Sequence, residues 1–189
     1  MAKIQWKGGA LLSPLPAALI TCGEGENANV LTVAWTGILS SDPPRAYVSV
    51  RRERHSHGLI SSAREFCINV TTEKLARATD LCGVKSGRDC DKFKLAGLTK
   101  EDSYAVKCPS LAESPLTLEC KVFDIIESGS HDIFMADIVA VSCEESLIDQ
   151  KGRLMLEKAG LIAYAHGDYF ALGERLGGFG FSVRKKAKR

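Results

Sequence analysis

One stretch decides the fold of this chain: Asn29-Val30-Leu31-Thr32-Val33-Ala34-Trp35-Thr36-Gly37. The apolar run predicts a strand over residues 30–35. The prolines of Asp42-Pro43-Pro44 forbid a helix, so we expect Thr36–Ser41 to form a loop. Gly37 lets a ligand approach the backbone, whose N–H groups can then donate hydrogen bonds to it. A buried strand followed by an ordinary surface turn explains this stretch equally well.

A second strand-like run leads into a basic cluster, Ser49-Val50-Arg51-Arg52-Glu53-Arg54-His55-Ser56-His57. Side chains alternate along a strand, so Ser49 and Arg51 should share one face. An arginine guanidinium can hold a phosphate with two parallel hydrogen bonds. Ser56 adds a hydroxyl at the start of the next predicted helix, whose backbone N–H groups favour an anion. Alone, this segment is also typical of a solvated basic turn.

Together the two segments predict a site for a flat aromatic ligand with a phosphate tail, namely flavin mononucleotide (FMN). The isoalloxazine ring of FMN accepts hydrogen bonds along its pyrimidine edge and at N5. Backbone N–H groups and the hydroxyls of Thr32 and Thr36 can meet those acceptors, and Trp35 can contact the ring. The cations of the basic cluster can bind the phosphate through charge-assisted hydrogen bonds.

Composition excludes several classes of protein. The chain has 189 residues, of which 45% are apolar and 25% charged, as in one ordinary globular domain. The net charge is only +2 and no second basic surface is visible, so we expect no nucleic-acid partner and a solvated basic tail at 184–189. No apolar run is long enough to cross a membrane and no signal-peptide pattern begins the chain, so we expect a cytoplasmic protein.

The seven cysteines predict neither a disulfide framework nor a metal site. Their number is odd, and no two are spaced as Cys-x-x-Cys. Cys67, Cys120 and Cys143 lie in apolar strand-like runs and are interpreted as core residues. Cys82 and Cys90 flank a glycine-rich turn, where a redox role is the alternative to packing.

Short strand-like runs dominate the chain and favour an antiparallel barrel with helical insertions over a doubly wound sheet. Strands are predicted at 17–22, 30–35, 46–50, 66–70, 116–127, 133–143, 161–165 and 169–172. Helices are predicted at 57–63, 73–82 and from 86 to about 97, the first capped by Ser56 and the second stopped by Gly83. No strand leads into a Gly-x-Gly-x-x-Gly turn, which disfavours a dinucleotide-binding parallel sheet.

In this order the pieces resemble the flavin reductase-like, FMN-binding split-barrel proteins, and within them the flavoredoxin-type group. The matching pieces are Pro16-Ala17-Ala18-Leu19-Ile20-Thr21, residues 29–44, Val48-Ser49-Val50-Arg51, His55-Ser56-His57-Gly58-Leu59-Ile60, Glu65-Phe66-Cys67-Ile68-Asn69-Val70, Ser86-Gly87, Asp91-Lys92-Phe93, Gly129-Ser130-His131 and Phe134. The resemblance covers roughly residues 9–173 and implies one flavin reductase-like domain over residues 1–189. It implies a mostly β fold with helical insertions: a six-stranded antiparallel FMN-binding split barrel. A homodimer with FMN near the subunit interface is also implied.

The resemblance also assigns residues to the site. The cofactor-binding residues it implies are Thr32, Val33, Ala34, Trp35, Thr36, Ser49, Val50, Arg51, His55, Ser56, Lys92 and Phe93. It implies that His131 helps to place a hydride donor, NADH or NADPH; a turn histidine bonded to the backbone is the alternative. Gly-Ser-His stands where Gly-Asp-His is more usual, which removes a carboxylate beside His131.

The implied function is that of an FMN-dependent oxidoreductase of the flavin reductase or flavoredoxin type. A reduced nicotinamide or a reduced protein would deliver electrons to FMN, and an acceptor would receive them. A non-catalytic module that senses or stores FMN is the alternative. A nucleic-acid-associated protein that uses the tail at 184–189 is a third hypothesis.

Overall fold

The structure, a computed structural model, describes residues 1–183, so the predicted basic tail at 184–189 lies outside the described residues. Within residues 1–183 the strands are β1 (Leu15–Pro16), β2 (Ala18–Cys22), β3 (Asn29–Val33), β4 (Thr36–Ser41), β5 (Pro44–Arg51), β6 (Glu65–Val70), β7 (Lys100–Glu101), β8 (Ser110–Leu111), β9 (Leu116–Ser128), β10 (His131–Cys143), β11 (Ile162–Ala165) and β12 (Asp168–Ala171). The α-helices of the same region are α1 (His55–Ala63), α2 (Ala76–Val84) and α3 (Lys92–Ala96). No helix in this part of the chain combines the length and the apolar character that a membrane span requires.

Seven strands form one antiparallel sheet in the order β3-β2-β6-β9-β10-β5-β4. The sheet curls until β3 approaches β5. The connection from β3 to β4 runs beside β5, where the Ser49 N–H donates to the Trp35 carbonyl oxygen at 2.9 Å. This architecture confirms the predicted class, a mostly β, antiparallel split barrel with helical insertions. Its main sheet has seven strands instead of six because one predicted loop is a strand.

That loop prediction, over Thr36–Ser41, is wrong because these residues form β4. They pair antiparallel with β5, with Thr36 opposite Val48 and Ser41 opposite Pro44. Pro44 is tolerated as the first residue of β5, since a proline at the start of a strand does not interrupt the hydrogen-bonded ladder.

The barrel encloses the main apolar core. Every second side chain of β5 is buried in it, which leaves Ser49 and Arg51 facing outward together, as predicted. Strand β2 is buried on both faces. Ile20 lies in the barrel core, whereas Leu19 packs outside it against the apolar side chains of α2 and α3.

Two predicted helix boundaries are wrong for identifiable reasons. Helix α1 begins at His55, and the Ser56 hydroxyl accepts a hydrogen bond from Asn29 Nδ2 at 2.7 Å instead of capping the helix. Helix α2 continues through Gly83, where a side chain would press against Thr32. Gly83 therefore allows α2 to pack closely against β3 and does not end the helix.

The third helix is shorter than predicted. The residues between Ser86 and Asp91 form turns, and α3 begins at Lys92. The Asp91 side chain caps it by accepting a hydrogen bond from the Lys94 N–H at 3.2 Å. The helix ends before Gly97, as predicted, and Gly97 adopts the left-handed conformation at φ 66°.

Cys67 and Cys120 are buried as predicted, whereas the prediction for Cys143 is wrong. Cys143 is the last residue of β10 and lies beyond the part of that strand that covers the core. Cys82 is buried among the apolar side chains of α2.

Candidate functional site

A cleft of about 700 Å³ opens where the ends of β3 and β5 meet the start of β10. A second cleft, of about 290 Å³, lies between the start of α1, the end of α2 and the turn that follows it. The two share Leu31, Thr32, Arg54 and Gly83 as lining residues. We call the larger one the main cleft and the smaller one the side cleft. Because they are contiguous, they form one groove of the size typical of small-molecule sites.

Most of the predicted residues line this groove. The main cleft is lined by Thr32, Val33, Ala34, Trp35, Ser49, Val50, Arg51 and His131, and the side cleft by Thr32, His55, Ser56 and Lys92. Thr36 and Phe93 lie outside both clefts. The Thr36 hydroxyl donates to the Tyr47 carbonyl oxygen at 2.6 Å, and Phe93 is buried in the apolar cluster beside α2.

An aromatic pair marks one end of the main cleft. The rings of Trp35 and His131 have centroids 4.6 Å apart, and Trp35 keeps 39% of its surface exposed. His131 lies directly opposite Arg51 in the pairing of β10 with β5. Partial burial, and then the positive charge of Arg51, lower the pKa of His131 and so favour the neutral imidazole. This end of the cleft therefore combines a flat aromatic wall with a guanidinium.

A buried cation marks the side cleft. Lys92 is only 3% exposed, and its ammonium donates to the Cys82 carbonyl oxygen at 2.9 Å. Burial lowers the pKa of Lys92, and no carboxylate pairs with it within residues 1–183. Buried charges in proteins are normally paired. The side cleft therefore fits a ligand that brings its own anion, as the phosphate of FMN does.

Polar contacts hold the walls of the side cleft in place. Asn29 is fixed by its bond to the hydroxyl of Ser56, and a Cβ atom at Gly87 would collide with Asn29 Oδ1. Only glycine fits at this close approach. Arg54 donates to the Gly83 carbonyl oxygen at 3.1 Å, and Arg88 donates to a backbone carbonyl of the basic cluster at 2.9 Å. Both guanidinium groups are thus held at the rim of the groove.

A second polar network joins α1 to β10 beside the groove. The Asp132 carboxylate contacts His57 Nε2 at 2.8 Å and accepts a hydrogen bond from Arg52 Nε at 2.9 Å. Arg52 also contacts Glu127 at 3.0 Å. Burial opposes ionisation of Asp132, but the hydrogen bonds from Arg52 and His57 outweigh it and hold the pKa of that carboxyl below its usual range. The network fixes the start of α1 relative to the strand that carries His131.

Sequence reasoning missed Asp80, Gly83 and Val84 of α2, which line the main cleft, and two further walls of it. One is the segment around Ser13, and the other is the β11–β12 hairpin with Tyr164 and Tyr169, whose rings are 5.3 Å apart. The two strands of the hairpin are predicted, at 161–165 and 169–172. The position of the hairpin depends on the pairing of β11 with β1, where Tyr164 lies opposite Leu15. No local pattern encodes a pairing between residues so distant in the chain.

The fold and the groove together define a class of protein: antiparallel split barrels with a ligand cleft where the strand ends meet. The chain belongs to the flavin reductase-like family, because the model of the flavin reductase like domain matches residues 11–173.

Comparison with individual proteins agrees with this membership. Flavoredoxin of Desulfovibrio vulgaris (Miyazaki F) superposes with a TM-score of 0.89 at 28% identity, over 97% of this chain and 100% of that one. An FMN-binding protein from Thermus thermophilus, solved with bound 1-cyclohex-2-enone, gives a TM-score of 0.80 at 28% identity, over 94% and 99% of the two chains. An NADPH-flavin oxidoreductase of Streptomyces viridifaciens is 29% identical over 128 residues, which cover 67% of this chain and 65% of that protein.

Proposed function

We propose that this protein binds FMN in the groove and passes electrons through it, from a reduced nicotinamide or a reduced protein to an acceptor. The observation that carries the proposal is the buried Lys92 ammonium. It lacks a carboxylate partner within residues 1–183, and it lies in a groove continuous with the Trp35–His131 pair. One end of the groove thus suits an anion and the other a flat ring.

The phosphate would be held in the side cleft. Lys92 and the hydroxyl of Ser56 line that cleft, and Arg54 and Arg88 add positive charge at its rim. The first two residues of α1, His55 and Ser56, line the same cleft, and the start of a helix favours an anion. Together these donors suit the dianionic end of FMN.

The ring would lie in the main cleft. Bound FMN supplies the redox chemistry, since its ring accepts a hydride and releases electrons singly or in pairs. Arg51 lines the same cleft and would supply a positive charge to stabilise the negative charge of a reduced flavin. Trp35 and His131 would form an aromatic wall at one end of the bound ring. Because the lowered pKa of His131 favours the neutral imidazole, this side chain could hydrogen-bond to an incoming nicotinamide amide without adding charge.

The relatives support two versions of this function. Flavoredoxin suggests an electron carrier, and the NADPH-flavin oxidoreductase suggests a reductase that uses NADPH. We further propose that the protein acts as a homodimer. A module that binds FMN without reducing it remains the contrasting outcome of the test below.

The test begins with the absorbance spectrum of the purified full-length protein, followed by titration of the apoprotein with FMN. We expect flavin bands in the visible region, and then their bleaching when NADPH or NADH is added without oxygen. Colourless protein whose spectrum is unchanged by FMN would refute the proposal. FMN binding without bleaching by either nicotinamide, or by a reduced ferredoxin, would favour the non-catalytic module.

Arg51→Ala should weaken FMN binding roughly tenfold, because it removes a charged donor from the main cleft. The affinity is measured by quenching of flavin fluorescence. Arg77→Ala is the matched control, since Arg77 is exposed on α2 and lies outside the groove. An equal loss of affinity in both variants would mean that Arg51 acts only through the overall charge of the protein.

A further inference from the structure

Two buried thiols meet outside the groove, where the segment at 102–109, between β7 and β8, packs on the barrel. Cys67 belongs to β6 and Cys108 to that segment, and their sulfur atoms are 3.5 Å apart. We propose that Cys67 and Cys108 form an intramolecular disulfide when the protein meets a peroxide, and that this bond locks the segment onto the barrel. The proposal does not depend on flavin binding.

Formation of the disulfide requires a movement of the segment at 102–109. A disulfide requires a sulfur–sulfur distance of about 2.05 Å, so the two atoms must approach by roughly 1.5 Å. The backbone at Cys67 cannot supply this movement, because β6 is paired on both sides, with β2 and β9. Cys108 lies in irregular backbone, which can shift without breaking a sheet.

The segment is already held against the barrel by polar contacts. The carboxylate of Glu119, which is fully buried, accepts hydrogen bonds from the N–H groups of Tyr104 and Ala105 at 2.9 and 2.6 Å. The Lys107 N–H donates to Glu65 at 2.9 Å. These contacts keep Cys108 next to Cys67, so closing the bond costs little further ordering of the chain.

The environment also favours the chemistry. Hydrogen bonding with Cys108 lowers the pKa of the Cys67 thiol even though burial opposes ionisation, which makes Cys67 the nucleophile. Cys108 lines a surface pocket of about 460 Å³, so a small oxidant would approach from the Cys108 side and reach the buried Cys67 sulfur when the segment shifts. Val106 and the two cysteines form a small apolar cluster that shields the product.

The reaction balances with hydrogen peroxide as the oxidant. The Cys67 thiolate attacks one peroxide oxygen, the O–O bond breaks, and the departing hydroxide takes a proton to leave as water. The Cys108 sulfur then attacks the resulting sulfenic sulfur, the S–S bond forms, and the S–O bond breaks. The hydroxide that leaves takes the Cys108 proton. Overall the two thiols lose two electrons and two protons, and the peroxide is reduced to two water molecules.

Peptide mapping of the full-length protein tests the proposal. The protein is treated with hydrogen peroxide, unfolded without reductant, alkylated and digested. We expect one cross-linked pair of peptides, containing Cys67 and Cys108, with the mass of two hydrogen atoms missing. The melting temperature should rise by about 5–15 °C and return on addition of dithiothreitol, because a cross-link of this span restricts the unfolded chain.

Cys108→Ala should abolish both the cross-link and the rise in melting temperature, whereas Cys143→Ala, at an exposed cysteine, should leave both intact. Mapping of the unmutated protein needs no variant, so the test survives if Cys108→Ala does not fold. The proposal is overturned if Cys67 and Cys108 remain open to alkylation after peroxide treatment, or if either is found joined to another cysteine. The segment lines neither cleft, so these outcomes are independent of whether the protein binds FMN.

Discussion

At the scale of single residues, Lys92 is the most informative side chain, because its buried charge has no carboxylate partner in the part of the chain that the structure describes. Lys92→Met should lower the affinity for FMN roughly 10- to 100-fold, since a hydrogen bond to a charged group contributes about 1.5–3 kcal/mol. The affinity for riboflavin, which lacks the phosphate, should change little. Fluorescence titration of the apoprotein with each flavin measures both values.

The same substitution should not lower the melting temperature of the apoprotein. Methionine keeps most of the volume of lysine and removes an uncompensated buried charge, which is neutral or stabilising in the absence of ligand. Lys94→Met is the control, because Lys94 belongs to the same helix, is exposed and lies outside the groove. If riboflavin binding falls as much as FMN binding, Lys92 is not a phosphate ligand.

The sequence predicts which residues line the groove better than it predicts the contacts that those residues make. Trp35 and Arg51 reach the main cleft because strand alternation and a strand end fix their direction. Thr36 and Phe93 do not reach it. The Thr36 hydroxyl is used by the backbone of β5, and Phe93 fills the space under α2. The burial of Lys92 likewise depends on how α3 packs, which spacing along the chain does not encode.

At the scale of secondary-structure elements, Asp132 joins α1 to β10 and so fixes the helix start that borders the side cleft. Because folding holds the pKa of Asp132 below its usual range, the folded protein favours the ionised form. The stability gained from this is complete above the ordinary aspartate pKa, about 4, and is lost as the pH falls through the lower value of the folded state.

Asp132→Asn should therefore lower the melting temperature at pH 7 by roughly 3–8 °C, the effect of losing charge-assisted hydrogen bonds. The difference from the unmutated protein should shrink as the pH is lowered from about 5 towards 3. Thermal melts at a series of pH values measure it. Asp137→Asn is the control, because Asp137 pairs with Arg45 at a half-exposed site, where such pairs contribute little. A difference that stays constant with pH would show that Asp132 stabilises the fold by shape alone.

The errors in predicting secondary-structure elements have physical causes. Strand β4 is predicted as a loop because two prolines follow it, at Pro43 and Pro44. A bulge between Ile38 and Ser40 also breaks the alternation that would have marked it as a strand. In contrast, β9 and β10 are long and strongly patterned, and the predicted strands overlap them closely. Helix starts were displaced where a tertiary contact, such as that between Ser56 and Asn29, replaced the local cap.

At the scale of the whole molecule, the exposed apolar residues of β4 bear on the proposed homodimer. Strand β4 ends the seven-stranded sheet, and Ile38 is 64% exposed. An exposed apolar strand at the edge of a sheet favours association with another chain. Because Trp35 immediately precedes β4, a partner that covers this edge would lie next to the main cleft.

We therefore expect the full-length protein to sediment at twice the mass of the chain, and Ile38→Asp to shift it to a monomer with weaker FMN retention. The new charge would have to be buried without a partner in the dimer, whereas in the monomer it faces water. Leu95→Asp, at an exposed leucine of α3 far from β4 in the chain, should remain dimeric. A folded Ile38→Asp variant, judged by circular dichroism, that still sediments as a dimer would place the interface elsewhere. Loss of the dimer without loss of FMN would show that one chain completes the groove by itself.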